Sequence, residues 1–232
     1  MINVKKLERP PAVENWSRMQ YRDVQRTAKK LFSFVRGGPI WNYNVCRDCA
    51  RFYVEDGIER SVANQIVSMK GSSLGRPYNK QAVDALFDYL EKNPIEGVRA
   101  FDQMVEWFPL GPGVVVPIRP LTVVRQQGYF SPIFLNPWAE IAFDDYQASL
   151  YMTVLEKSIF RLTDFENSPG QIIFLPKHQK MEGGPNRKAV VWNRGEFPLL
   201  SDSELNDQIR IFTEGKAIAT RMVREFNEAN PT

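Results

Sequence analysis

The chain changes character at Pro109-Leu110-Gly111-Pro112-Gly113, where two prolines and two glycines within five residues stop any regular element. Upstream, apolar residues recur at helical spacing. Downstream, β-branched and aromatic runs separated by turn residues take over: Val114–Ile118, Leu121–Arg125, Tyr129–Leu135, Ser149–Leu155, Gln171–Leu175 and Ala189–Trp192. These runs follow one another too closely for βαβ crossovers, so an antiparallel sheet is expected. Asn136 to Gln147 reads as a short helix. A long final helix starts at Ser201, with a Ser201/Glu204 capping box and a Leu200/Leu205 staple. Gly215 threatens to interrupt it. The expected fold is α+β: an N-terminal helical bundle, then an antiparallel β-sheet domain with a long C-terminal helix. The domain plan is an arm over 1–15, a helical domain over 16–108 and an α+β domain over 109–232.

In the first half, Ser17 and Gln20 are spaced as a capping box and Trp16 and Tyr21 as a staple, which starts a helix that Gly37-Gly38-Pro39 ends. Val24, Ala28, Leu31 and Val35 form its apolar stripe. Arg18, Arg22, Arg26, Lys29 and Arg36 share the other side within an arc of about 80°, a face suited to phosphates. A second helix covers Asn44 to Val54, and a third lies within Gly57–Gly71. A fourth follows Asn79 as its cap, with Val83, Leu86, Phe87 and Leu90 inward, and Ile95 to Phe108 adds an amphipathic segment.

The third helix has a distinctive polar face. Ile58, Val62, Ile66 and Met69 fall on one side, and Arg60, Ser61, Asn64, Gln65 and Ser68 on the other. Side chains that both donate and accept, with one Arg, suit base edges in a major groove. The Asn44–Val54 helix, the turn at Glu55-Asp56-Gly57 and this helix together resemble a helix-turn-helix of the lambda-repressor-like or lac-repressor-like class, over about residues 45–92. That resemblance implies a DNA-binding regulator in which Arg60, Ser61, Asn64 and Gln65 choose bases. Lys70 and the Gly-Arg-Pro tripeptide at Arg76 would add contacts, the latter in a minor groove. Tyr53 departs from the pattern, because such turns want a small residue four positions before the glycine.

Charge is divided unevenly. Residues 1–93 hold 16 Lys/Arg against 10 Asp/Glu, whereas residues 94–232 hold 14 against 17. A basic half joined to a mildly acidic half suits a nucleic-acid module with a sensing or assembly module. Lys177, His178, Lys180, Arg187 and Lys188 cluster in a hairpin loop, where a wing-like backbone contact or a solvated loop would place them.

Other chemistries have thinner support. Cys46-x-x-Cys49 and the lone His178 supply fewer than the roughly four ligands of a zinc site, and no phosphate-binding glycine loop occurs, so neither metal nor cofactor is expected. Glu140, Asp144, Asp145, Glu156 and Glu214-x-Lys216 could serve a metal-dependent nuclease only by converging on one point. There is no run of about 18 apolar residues, no secretory signal and no disulfide framework, so a cytoplasmic setting without membrane partners is expected. The leading expectation is a regulator that binds duplex DNA, with a homodimer or protein partner formed through the second domain. An interaction or immunity-type adaptor without nucleic acid, and a metal-dependent nuclease, stay open.

Overall fold

β-strand residues in the second half of the chain are apolar at consecutive positions rather than alternate ones, a pattern that requires both faces of a sheet to be covered. The computed structural model describes residues 2–37, 41–95, 98–99, 104–126, 128–178 and 187–231, with backbone only at 98, 99 and 126. Its helices are α1 (Val13–Ser17), α2 (Val24–Arg36), α3 (Asn44–Asp56), α4 (Arg60–Met69), α5 (Arg76–Leu90), α6 (Asp145–Leu155) and α7 (Asp202–Ala229). Its strands are β1 (Val98–Arg99), β2 (Glu106–Gly111), β3 (Val114–Ile118), β4 (Thr122–Gln126), β5 (Tyr129–Asn136), β6 (Gln171–Phe174) and β7 (Val190–Asn193). Five strands form one sheet in the order β1-β4-β5-β6-β7, and β2 and β3 pair as a separate hairpin.

Period-two geometry explains the apolar runs. Val124, Ile133, Leu135, Ile173 and Leu175 join a core with α3, α4 and α5. Their neighbours Val123, Phe134, Ile172 and Phe174 point the other way, into a core with α1, α2, α6, α7 and the hairpin. Both cores therefore combine residues from before and after position 109, and the hydrophobic interior does not part at the boundary expected there.

The chain is α+β, with helices first, strands in the middle and a long C-terminal helix. The expectation of a wholly antiparallel sheet is corrected at one place. β5 and β6 are parallel, with Ile133 opposite Gln171 and Asn136 opposite Phe174. The segment Ser149–Leu155, expected as a strand, belongs to α6 and supplies the crossover between them. Asp144 caps α6 reciprocally with Gln147, and all of Gln147 to Leu155 is buried. A helix buried on every side carries no amphipathic period, so its β-branched residues read as strand. The expected helix at 95–108 is likewise replaced, where it is described, by strand residues of β1 and β2.

The first helix also begins elsewhere. Ser17 lies inside α1, and α2 starts only at Val24, where Asp23 Oδ1 accepts from the Arg26 amide at 2.6 Å. The S-x-x-Q pattern is not a cap because Gln20 is buried and donates to the Trp16 carbonyl at 3.0 Å. Trp16 is 0% exposed and packs against Phe108 of the hairpin and Phe212 of α7. The end expected for this helix at Gly38-Pro39 lies outside the described residues.

Gly215 does not break α7. A Cβ there would stand 3.2 Å from Thr27 Cγ2 and 3.3 Å from both the Ala28 nitrogen and the Val24 oxygen. Glycine is what lets α2 and α7 approach backbone to side chain. Gly215→Val should therefore destabilise the protein by about 1–3 kcal/mol. For a chain of this size the corresponding fall in Tm is roughly 2–12 °C, read by thermal denaturation; an unchanged Tm would contradict the close crossing.

Candidate functional site

The parallel pair β5–β6 ends at Asn136 and Phe174, and a crevice beyond the carboxyl ends of parallel strands is where α/β sheets commonly receive ligands. Arg187 closes that end from inside. Its Nη1 donates to the Pro137 and Leu175 carbonyls at 3.0 and 3.1 Å, and its Nη2 donates to the Tyr43 hydroxyl at 2.7 Å. Arg187 is 1% exposed, its Nε has no acceptor, and among the described residues no carboxylate pairs with it. A buried guanidinium with no opposite charge makes this end of the molecule electropositive.

Beside it lies a groove of about 680 Å³. Its walls are the α1–α2 turn (Arg18 and Tyr21), the inner edge of α2 (Lys30 and Phe34), the segment entering α3 (Trp41, Tyr43 and Arg47) and the strand exit (Trp138 and Glu140). Trp41 stacks on Tyr78 with ring centroids 4.4 Å apart, and Tyr43 meets it edge-on at 4.8 Å. Gly75 permits this arrangement, since a Cβ there would come 2.9 Å from Trp41 Cβ. Asn79, expected to cap α5, is instead a buried tie: it accepts from the Cys46 amide and donates to the Asn42 and Gly75 carbonyls.

The expected basic row is divided between a turn and a helix. Arg18 follows α1 and lies 4.6 Å over the Trp138 ring, where burial pulls its pKa down against the raising charges of Glu140 and Glu14. Arg22 sits over Tyr146 at 4.6 Å and 3.7 Å from Glu204. Arg26 covers Tyr21 at 3.9 Å. Lys29 and Lys30 are exposed on α2 and make no ion pair among the described residues.

The apolar face expected for the reading helix holds in part: Ile58 and Ile66 pack against the core, and the buried centre is shifted toward Ala63 and Val67. Ala63 and Val67 are its buried residues, whereas Val62 is 41% and Met69 70% exposed. The cause is the α3–α4 crossing, where Cys49 Sγ points at the Ala63 carbonyl at 3.7 Å and only small groups fit. Tyr53 stays clear of that crossing and packs edge-on against Phe87 of α5. Gly57 does form the tight left-handed turn between the helices, at φ 65°.

Arg60 is engaged within the protein. Its Nη2 donates to Asp88 at 2.6 Å, and its Nε and Nη2 clasp Glu91 at 3.0 and 2.9 Å, tying α4 to α5. Asn64 is half-buried with its Oδ1 unpartnered, while Ser61 and Gln65 are exposed. Lys70 lies 5.7 Å over Phe52. Arg76 is exposed but is the first residue of α5, so Gly-Arg-Pro is helical rather than the extended segment a minor groove would take. The groove thus gathers Arg18 with Lys30 and Arg47; the residues expected on α4 stand apart from it. Of the loop cluster, Lys177 and Lys188 are exposed, Arg187 is buried and Lys180 lies outside the described residues.

The carboxylates named for nuclease chemistry are dispersed. Asp144 caps α6, Glu156 is clasped by Arg194 at 2.6 and 2.9 Å, Glu214 accepts from Arg210 at 3.1 Å and Glu140 lines the groove. Among the described residues, no three His, Cys, Asp or Glu side chains come close enough to hold a metal ion, and no helix is long and apolar enough to cross a membrane. No protein-family model matches the chain, and no curated protein was found that is similar to it.

Trp138 belongs to the second-half aromatics (Tyr129, Phe130, Phe134, Trp138, Phe143, Tyr146 and Tyr151) that the sequence offers for a small pocket or for core packing, and it lines the groove. Trp41, Tyr43 and Arg47 were missed because they lie outside or at the edge of periodic segments. One signal was available. From Val24 through Arg47 the chain carries Arg26, Lys29, Lys30, Arg36 and Arg47 and no acid, interleaved with Phe32, Phe34, Trp41 and Tyr43.

The two cysteines are buried and free. Burial, then the charge of Asp48, pushes the Cys49 thiol up to about 11 from the ordinary 9.0, and burial raises Cys46 as well. A thiol whose pKa is higher folded than unfolded contributes stability that is complete below pH 9 and lost as pH rises through about 11. Native protein at pH 8 should resist alkylation by iodoacetamide, and unfolded protein should react at both thiols. The fall in urea stability between pH 9 and 11 should shrink in a Cys46→Ala, Cys49→Ala variant; rapid native alkylation would contradict the burial.

Proposed function

We propose that the protein binds nucleic acid, and that it does so by receiving a single-stranded segment in the groove between the α1–α2 turn and the β5 exit. The observation that carries this reading is the composition of the groove: aromatic rings at Tyr21, Phe34, Trp41, Tyr43 and Trp138 interleaved with Arg18, Lys30 and Arg47, with Glu140 the acid of the lining and Glu14 pairing with one edge of Arg47 at 3.0 Å. Sequence-tolerant binding of single strands combines these same two elements, base stacking on rings and a cationic track for the backbone. The outer cations of α2, Arg26 and Lys29, extend that track, and the uncompensated Arg187 raises the potential behind it.

This keeps the nucleic-acid partner expected from the sequence and moves its contact surface. On α4, Ser61, Gln65 and Ser68 stay exposed, but the only cation of that helix is held by Asp88 and Glu91. Regulation of transcription, with α4 in a major groove, is the outcome that a preference for duplex would favour.

Fluorescence anisotropy with a labelled oligothymidine and a duplex of equal length, across a salt series, tests the reading. Single strands should bind more tightly than duplex. Trp41→Ala and Trp138→Ala should each weaken binding by about 1–3 kcal/mol, roughly 5- to 150-fold. Lys29→Ala should weaken all sequences alike and lower the salt slope by about one, while Arg60→Ala leaves affinity unchanged. Tighter duplex binding that Arg60→Ala or Gln65→Ala abolishes would overturn the groove assignment.

A further inference from the structure

We infer that a second, smaller pocket sharing Arg47 with the groove is an anion site, and that it takes a terminal phosphate monoester of the strand the groove holds. The inference rests on the nucleic-acid reading of the groove for the identity of the ligand, and on its own geometry for the chemistry. The pocket measures about 160 Å³, roughly the share of five waters in the liquid. That is ample for the handful of heavy atoms in a phosphate group.

Its chemistry is that of an anion receptor. Arg47, Arg51 and Arg119 face Glu14 and Asp48 across it, three cations against two acids. Glu14 is buried and accepts from Arg47 Nη2 at 3.0 Å; Asp48 accepts from Arg51 Nη2 at 3.5 Å. Arg51 also lies 3.9 Å from Glu55, so it is flanked by two acids, whereas Glu14 occupies one edge of Arg47. A guanidinium carries five N–H donors in a fixed fork, so Arg47 keeps several of them for another acceptor. Arg119 is exposed and has no ion pair among the described residues. At the floor, the buried Asn136 amide lies beside the Tyr151 hydroxyl, at the carboxyl end of β5 where ligands of parallel sheets collect. A phosphate, with its several acceptor oxygens, is complementary to this set, whereas a base or an uncharged sugar is not.

The adjacency of the two cavities supplies the order of events. Arg47 lines both, so the end of a strand stacked along the groove aromatics would meet the pocket at this residue. A phosphate inside the pocket then adds charge-assisted hydrogen bonds to the stacking in the groove.

The test compares one single-stranded oligonucleotide carrying a 5′-phosphate, a 3′-phosphate or neither, with inorganic phosphate as a separate probe in thermal unfolding. A phosphate at one of the two ends should tighten binding about tenfold. Arg119→Gln, at an exposed position without an ion pair among the described residues, should erase that gain and leave the unphosphorylated oligonucleotide bound as before. Inorganic phosphate should raise the Tm of the wild type and not that of Arg119→Gln. If unphosphorylated strands bind but neither phosphate adds affinity, the pocket inference is overturned and the groove reading stands. If the gain survives in Arg119→Gln, the pocket is likewise excluded. If no oligonucleotide binds while phosphate stabilises the wild type through Arg119, the groove reading falls and the pocket stands as an anion site.

Discussion

Gln147 holds the candidate site together. Its Nε2 donates to the carbonyls of Arg18 and Gln20 at 3.0 and 2.9 Å, and its Oε1 accepts from the Asp144 amide at 3.1 Å. Gln20 in turn accepts from Gln208 of α7 at 3.1 Å, and Gln208 accepts from the Tyr146 hydroxyl at 2.6 Å. All three glutamines are buried. An amide in the interior is costly unless its partners are in place, so the network specifies one arrangement of the α1–α2 turn against α6 and α7. That turn carries Arg18 onto Trp138 and Arg22 onto Tyr146. The cation at the groove wall and the aromatic floor beneath it are positioned by the same few hydrogen bonds.

The sheet supplies the other half of the frame. Helices cover both faces, so the strand ends are the exposed part of its interior, and the parallel pair β5–β6 directs two chain exits to one side. Arg187 satisfies the carbonyls at both exits, which leaves its charge uncompensated among the described residues next to the groove. The α3–α5 layer packs on the opposite face from α6 and brings Tyr43 and Arg47 to the same end through the Asn79 tie. A cationic, aromatic groove follows from elements that are far apart in sequence.

Much of the fold was legible in the sequence and much of the site was not, for different physical reasons. β3 and β6 stood out because β-branched runs bounded by prolines and turns have one reading, and Ser201/Glu204 forms the reciprocal cap its spacing announces. α6 was misread since a helix buried on every side loses its period. The polar face of α4 had the composition of a reading surface, but composition does not report that Arg60 meets Asp88 and Glu91, 28 and 31 residues later. Trp41 and Trp138 belong to connecting segments, and their meeting across a groove depends on long-range contacts of the glutamine network and Arg187. The acid-free stretch from Val24 to Arg47 was the local trace of that meeting.

Ultraviolet cross-linking of the protein to a thymidine-rich single strand, with the attached residues mapped by mass spectrometry, tests the central claim most directly, since cross-links form at rings in contact with bases. The groove account predicts attachment at Trp41, Tyr43 and Trp138. Attachment confined to α4 and the loop after it, with those aromatic residues unmodified, would contradict it.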